Sequence, residues 1–584
     1  MDEERDILTG MKRLQRYIWL MISVIPFGLF GTGFGRIIRE SIGLEIQGSQ
    51  YRVVEAQKYL RSLSEIPDIL WIPLAVCVGL ILWFFGYRIV RGQHRRNAAF
   101  KAAIPASSVL VGAVLLFVTH EPFSRVERFR LVAALGFATA GYATSWSIMY
   151  LWPIFRRDAW RPSGRVVWII SLAYYVFIGA WMSVVQEPTG DEPHYLLGMH
   201  SIAYDGDLDV GNNHQNQDYR YFYPEPIHHA QMIETTRGVT LPKHSIGLML
   251  IGAPFYALGG RFMVSILCSL VTAGVAICVY YLIRYHSGRS TALRCWAAVL
   301  LAVPLSIYPG QIYPNAFTAF LLAWALILGE RSLGSITSGV LLGLIPWFHL
   351  GTFPLALGGM LLIVIHHRRP VMRTGGIAWF FWLALAAFNI YFWGALTPPI
   401  QTYGEFSFTA IPATLAGLFL DQEVGVLWYA PIWLLIIPGT IITKRRPVSS
   451  PYILLYLGWI VYISSFSWWY GGWSPVGRFL LPCLPLMSIA IAIVLGRSVN
   501  TGRLLWCAGG IASICLVSFP FIRFNAHDGS SALLDTLGPF GSAISSLLPR
   551  IVNAEPLPWI VWFIILGIST WLYLRRHGHA HSRS

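Results

Sequence analysis

Residues 166–195 read VVWIISLAYYVFIGAWMSVVQEPTGDEPHY. The segment 166–185 is almost entirely apolar and, at about 1.5 Å of rise per residue, reaches across a hydrocarbon core of about 30 Å. It gives way to Gly190-Asp191-Glu192-Pro193-His194-Tyr195. Ionised carboxylates beside hydrocarbon cost free energy and are retained there mainly when they do chemistry or line a polar cavity. Asp191 and Glu192 are therefore site candidates at a membrane surface. The same residues also fit an ordinary helix start, with Asp ahead of the helix and Pro193 in its first turn.

Outward from this stretch, the whole chain has the same character. It is 55% hydrophobic and only 12% charged, with a mean hydropathy of +0.56, which describes an all-α polytopic membrane protein of about sixteen spans. Several spans are short and broken by Pro or Gly, as bundled helices tolerate. The formal charge of +15 does not indicate a nucleic-acid partner, because Lys and Arg fall in short loops between apolar runs: 88–101, 156–165, 284–294, 366–373, 444–446, 497–503 and the tail from Arg575. These loops read as cytoplasmic. The alternate loops, 186–241, 394–425 and 468–477, face outward, which leaves both termini cytoplasmic.

The seven cysteines, Cys77, Cys268, Cys278, Cys295, Cys483, Cys507 and Cys515, lie in or beside apolar runs with no metal spacing and read as packing residues. The first apolar run, 17–34, lacks a clear cleavage site and reads as a retained span. Organisation changes near residue 160. Residues 1–160 read as an accessory bundle of about four spans and 161–584 as a module of about twelve, with its first large extracytoplasmic loop at 186–245.

The outward loops carry nearly all the unusual polar residues. In Leu241-Pro242-Lys243-His244 the lysine precedes an apolar run, 246–258, too short to span easily; it reads as an interfacial helix that sets Lys243 at phosphate depth, although a lysine snorkelling to headgroups looks the same. Arg478 closes Trp468-Trp469-Tyr470-Gly471-Gly472-Trp473-Ser474-Pro475-Val476-Gly477-Arg478, against the charge bias of an outward loop, among aromatics that form an interfacial belt or a sugar-stacking surface. His349 lies in the outward turn Trp347-Phe348-His349-Leu350. Asp421 and Glu423, in Asp421-Gln422-Glu423-Val424-Gly425, suit a site-facing loop or a helix cap. Asp205-Gly206-Asp207-Leu208-Asp209 lacks the later Glu of a calcium loop and reads as a turn. His577, His579 and His581 belong to a basic tail, and no Gly-rich phosphate loop follows a strand.

From about 160 to 575 the chain resembles the GT-C glycosyltransferases that take sugars from polyprenyl-phosphate carriers, such as protein O-mannosyltransferases and lipid A aminoarabinose transferases. The resemblance rests on the Asp191-Glu192 pair opening the first large outward loop, the later Lys243 beside a short apolar helix, an outward connection between spans carrying a polar residue, and the late aromatic-Gly-Arg loop ending at Arg478. It implies a GT-C-like helical bundle with outward-facing loops and interfacial helices, in a bacterial inner (plasma) membrane, with an extracytoplasmic active site. The implied reaction is inverting transfer from a polyprenyl-phosphate sugar to an acceptor hydroxyl on a glycan, lipid or protein.

Such chemistry needs a carboxylate opposite the leaving phosphate to take the hydroxyl proton, and cations at that phosphate. The resemblance assigns the base to Asp191, with Glu192 positioning the acceptor or holding Asp191. Lys243, Arg478 and His349 are the donor-phosphate candidates, and His194, Tyr195, His244, Asn315, Asp421, Glu423 and Trp473 the substrate-binding ones. Asn315 stands where relatives commonly carry a carboxylate, which weakens transfer of a second acidic role or a metal site. No cofactor is required by the sequence, and a divalent metal stays open. A ligase or polymerase using polyprenyl-diphosphate oligosaccharides, and a lipid or solute transporter, are the alternatives. A transporter calls for polar residues at mid-span in two related halves, whereas here they gather at one face.

Overall fold

A computed structural model describes residues 164–185, 187–227, 231–330, 335–366, 371–399, 406–443, 449–497 and 545–552 of the chain, with positions 543, 564, 567 and 568. The accessory bundle expected over 1–160, the run 17–34, the basic loops 88–101 and 444–446, Cys77, Cys507, Cys515 and the histidines of the tail lie outside the described residues.

The described chain is mostly helical. Its principal helices are α1 (Gly164–Val185), α2 (Glu192–His200), α3 (Gly247–Ser287), α4 (Arg289–Leu301), α5 (Asn315–Glu330), α6 (Ser335–Phe348), α7 (Phe353–Leu361), α8 (Val371–Trp393), α9 (Ile411–Leu420), α10 (Ile436–Thr443), α11 (Ser450–Ser464) and α12 (Leu484–Arg497). Among the described residues two helices are long and apolar enough to cross a membrane by length and composition, α3 and the Met372–Trp393 part of α8. α3 is mostly buried and α8 mostly exposed.

α3 is the hub. It packs against α1, α4, α5, α12 and α2, while α6 pairs with α8 and α5 with α6. Its interior half is apolar on every side, with Val275, Ala276, Ile277, Cys278 and Val279 all buried, the pattern of a helix surrounded by protein. Buried side-chain hydrogen bonds fix α1 to α4: Tyr175 donates to the Leu300 carbonyl at 2.8 Å and the Trp296 indole to Ser171 Oγ at 3.0 Å. Cys268, Cys278, Cys295 and Cys483 are buried and unpaired in disulfides, as packing residues.

α3 is not one continuous rod. At Gly259 and Gly260 the backbone leaves the helical region, and Gly260 adopts φ 58°, ψ −148°, a conformation open essentially to glycine alone. The break separates a short leading segment, covering the apolar run of 246–258, from the long helix that follows. At about 1.5 Å per residue the leading segment is about 18 Å long, well short of a bilayer core.

Two short strands precede α3. β1 (Met232–Glu234) and β2 (Thr240–Pro242) pair antiparallel, Met232 opposite Pro242 and Glu234 opposite Thr240. Their connecting turn grips the C-terminal end of α8: Thr236 donates from its N–H and its hydroxyl to the Phe392 carbonyl at 3.1 and 2.9 Å, and the Arg237 guanidinium lies 4.5 Å over the Tyr391 ring. Lys243 and His244 thus leave a strand whose hairpin is fastened at its far end. The acidic run near residue 207 closes turns: Asp207 Oδ1 accepts from Ser201 Oγ and the Asp209 amide, and Asp209 Oδ1 from the Gly211 and Thr240 amides.

Candidate functional site

The connections between helices converge at the start of α2. Asp191 precedes this helix without capping it, since its side chain makes no hydrogen bond to the helix amides. The carboxylate turns instead toward Arg478, whose Nη2 lies 2.6 Å from Asp191 Oδ2. The pair joins the loop before α2 to the loop between α11 and α12, across 287 residues of sequence. His244 Nε2 lies 3.9 Å from Asp191 Oδ1. Tyr195 and His194, both buried on the first turn of α2, hold their ring centroids 5.0 and 5.7 Å from the His244 ring.

Glu192 has a different task. It is wholly buried; Oε2 accepts the Thr189 amide at 2.7 Å and Oε1 the Ile312 amide at 2.7 Å. It staples the turn before α2 to the turn before α5. Burial pushes its carboxyl upward, opposed by Arg261 and by these two amides.

Tyr313, one residue after that staple, organises the centre and was not singled out in the sequence. Its hydroxyl accepts the Asp191 amide at 3.2 Å and lies 3.1 Å from the Thr189 carbonyl and 3.3 Å from that of Trp473. Its ring centroid is 4.7 Å from the Arg478 guanidinium carbon, within cation–π range. A tyrosine in Gln311-Ile312-Tyr313-Pro314-Asn315 carries no local signal of this; only the fold brings it under Arg478.

Gly190 makes the close approach possible. It sits at φ 57°, and a Cβ there would overlap the Trp473 carbonyl oxygen and the Tyr313 hydroxyl. Gly190→Ala is expected to lower stability by about 1–3 kcal/mol through backbone strain and overlap, read as an earlier thermal unfolding midpoint of the purified protein. An unchanged midpoint would mean that this turn relaxes freely.

The electrostatics follow from burial among few counter-charges. Burial works to raise the Asp191 carboxyl, but Arg478 and then His244 outweigh it and hold the group well below the usual carboxylate range. The Asp191 side chain keeps 22% of its surface exposed, so water reaches the carboxylate. Arg478 is held above its ordinary value despite burial, chiefly by Asp191. Burial lowers Lys243, with Asp191 pulling the other way. His244 falls to about 4, through burial and then Arg478 and Lys243 against the pull of Asp191. His349, buried with its ring centroid 6.2 Å from that of Phe479, falls to about 3 through burial and the Arg478 charge. Both histidines are therefore neutral at pH 7.

The sign for stability is common to all three groups. Asp191 is depressed in the folded state, so its stabilisation is present above the ordinary carboxylate pKa and lost as pH falls through that range. His244 and His349 bind their protons more readily when unfolded, so stability declines as pH drops below about 6.5. We expect the unfolding midpoint to fall steadily from pH 6.5 to 4, and His244→Gln to flatten part of that slope. An identical slope in this variant would exclude His244 as a contributor.

The other candidates divide clearly. Asn315 is the first residue of α5, fully buried, with neither Nδ2 nor Oδ1 hydrogen-bonded. Trp473 is 59% exposed and contributes its carbonyl to Tyr313 while its ring faces outward. Asp421 is fully buried, and both oxygens are occupied: Oδ1 accepts the Glu423 and Val424 amides, Oδ2 those of Ile551 and Val552. Four amides use the acceptor capacity of a carboxylate, so Asp421 ties the loop after α9 to the 545–552 segment. Glu423 is buried in the same turn, its carbonyl accepting the Tyr429 hydroxyl. Among the described residues no group of three or more His, Cys, Asp or Glu side chains is arranged to hold a metal ion.

Beside His244 a narrow crevice of about 20 Å³ lies between the end of β2, the α6–α7 turn and the C-terminal half of α8. Its lining is mainly apolar and includes Leu241, Ile246, Leu350, Leu385 and Phe388, with Asn389 the polar exception on α8. Comparison with known proteins returns no matching family model, curated protein or solved structure.

Proposed function

We propose that this chain is a polytopic membrane glycosyltransferase of the GT-C type, moving a sugar from a polyprenyl-phosphate carrier to an acceptor hydroxyl on the extracytoplasmic face. The observation that carries this reading is the meeting of Asp191 with Arg478, flanked by Lys243, His244 and His349, in loops at the ends of apolar helices. A carboxylate and several cationic or donor side chains in one half-buried place match inverting transfer from a phosphate leaving group. The apolar side chains lining the crevice beside His244 suit contact with the edge of a prenyl chain whose phosphate lies beside polar groups. The short segment ahead of the Gly259–Gly260 break suits an interfacial helix, and the exposed apolar face of α8 suits contact with lipid.

In this mechanism the acceptor oxygen attacks the anomeric carbon as its proton passes to Asp191. The bond from that carbon to the phosphate oxygen breaks, and the phosphate departs with the electron pair toward Arg478 and Lys243. The protonated carboxyl returns its proton to water through its exposed edge. Glu192 and Tyr313 hold the loop geometry.

The test is incubation of the purified chain, in lipid nanodiscs, with a panel of radiolabelled polyprenyl-phosphate monosaccharides and candidate acceptor extracts. Labelled product together with free polyprenyl phosphate is the expected result. Consumption of diphosphate-linked oligosaccharides alone would move the assignment to a ligase, and movement of intact lipid without bond cleavage would move it to a transporter.

A further inference from the structure

We propose that Arg478 is exchanged between Asp191 and the phosphoryl group of the incoming donor, a phosphodiester, so that Asp191 is released for chemistry only once that phosphoryl group is bound. The proposal rests on the phosphate-carrier reading above and adds to it a coupling between donor binding and the base.

While Arg478 holds it, Asp191 is not available as a base. Its Oδ2 is engaged by Arg478 Nη2 at 2.6 Å, and a carboxylate held by a guanidinium is a weak proton acceptor. Arg478 itself is incompletely used. Nη1 donates to the Gly471 carbonyl at 3.0 Å and Nη2 to Asp191, yet the Nε–H is buried without a partner in a residue only 9% exposed. Nε and Nη2 form one edge of the guanidinium, the side-on fork that receives carboxylates and phosphates through two parallel bonds. A phosphate that takes this fork in bidentate fashion uses the Nη2–H on the Nε side and competes with Oδ2 for that nitrogen.

Two further groups near this edge lack hydrogen-bond partners. Ser474 Oγ is buried without one and lies beside the Arg478 stem, since a Cβ on Gly471 would come within 2.7 Å of Ser474 Oγ and 3.4 Å of Arg478 Cδ. His244 Nε2 is buried without a hydrogen bond, 3.9 Å from Asp191 Oδ1. A buried polar group left without a partner is costly. Three such groups around one guanidinium mark a place where a ligand completes the set.

The charges agree. Arg478 and Lys243 both feel the Asp191 charge, and Arg478 supplies a cation that the anionic phosphoryl group can take over from it. Once Arg478 turns to the phosphate, burial acts on Asp191 without its main opponent. The carboxyl then moves back toward the range in which it accepts a proton. Premature chemistry is suppressed by the same contact that later binds the leaving group.

The test is isothermal titration of the full chain in phosphatidylcholine nanodiscs with farnesyl phosphate and, separately, inorganic phosphate. If Asp191 competes for Arg478, Asp191→Asn binds farnesyl phosphate at least about tenfold more tightly than wild type, corresponding to about 1.4 kcal/mol. Arg478→Lys, which lacks the fork, binds at least about tenfold more weakly. Asp191→Ser removes the same competing charge and gives the comparison if the Asn protein does not fold. Tighter binding of both probes identifies the phosphoryl group as the ligand; tighter binding of farnesyl phosphate alone identifies the lipid-linked form. Equal or weaker binding by Asp191→Asn overturns the exchange, and if wild type still transfers sugar the glycosyltransferase reading stands without it. Binding of neither probe to any protein, with no transfer, overturns both.

Discussion

Asp191→Asn is expected to slow sugar transfer by about 10²- to 10⁴-fold, in kcat, with no rise in the KM for donor. Asparagine keeps the size and shape of the side chain and leaves the backbone link from the Asp191 amide to Tyr313 intact. It removes the one carboxylate in the cluster whose oxygens are not committed to backbone amides. With no charge to compete for Arg478, donor affinity improves, so the defect falls on the proton-transfer step. The measurement is steady-state transfer with a single polyprenyl-phosphate sugar at varied concentration. A variant that transfers as fast as wild type removes Asp191 from the role of base.

Glu192→Ala should show the largest loss of stability, about 3–5 kcal/mol. The wholly buried carboxylate holds the Thr189 and Ile312 amides, and its removal strands both donors and takes a counter-charge from Arg261. Against the 5–15 kcal/mol typical of folded proteins, that is a large fraction. Glu192→Gln preserves the shape and one carbonyl acceptor, so its unfolding midpoint should lie between the alanine variant and wild type. Equal midpoints for wild type and the alanine variant would show that the two turns are held by other contacts. Since Ile312 adjoins Tyr313, the alanine variant also displaces the hydroxyl beside Asp191.

Much of this arrangement is legible in sequence because charge stands out against an apolar background. Asp191, Lys243 and Arg478 announce themselves as ionic groups at the ends of apolar runs, and the structure brings Asp191 and Arg478 into contact. The work of Glu192 is not legible, because its partners are backbone amides, which every residue but proline carries. Asp421 illustrates the same limit: its oxygens serve four amides, two of them about 130 residues away. Tyr313 is hidden for another reason, since a buried tyrosine in an apolar chain looks like core until a guanidinium is found above it. On the side of the fold, long apolar runs foretell helices, but Gly259 and Gly260 break α3, and many of the remaining apolar helices are too short to meet a span's length. The three-residue strands β1 and β2 are below the length at which alternation can be read. The about twelve spans expected over 161–584 thus rest on hydropathy, while the described helices supply two of full length.

The 287-residue separation of Asp191 and Arg478 also fixes an order of events during synthesis. At about 5–20 residues per second, Arg478 is added roughly 15–60 s after Asp191. Tyr313 and the Ile312 amide arrive well before it, so the elbow around Glu192 can close while the carboxylate still lacks its cation. A nascent chain halted between these points therefore carries a preformed acidic turn without its cation, and the loop between α11 and α12 acts as the latch that converts it into an ion pair.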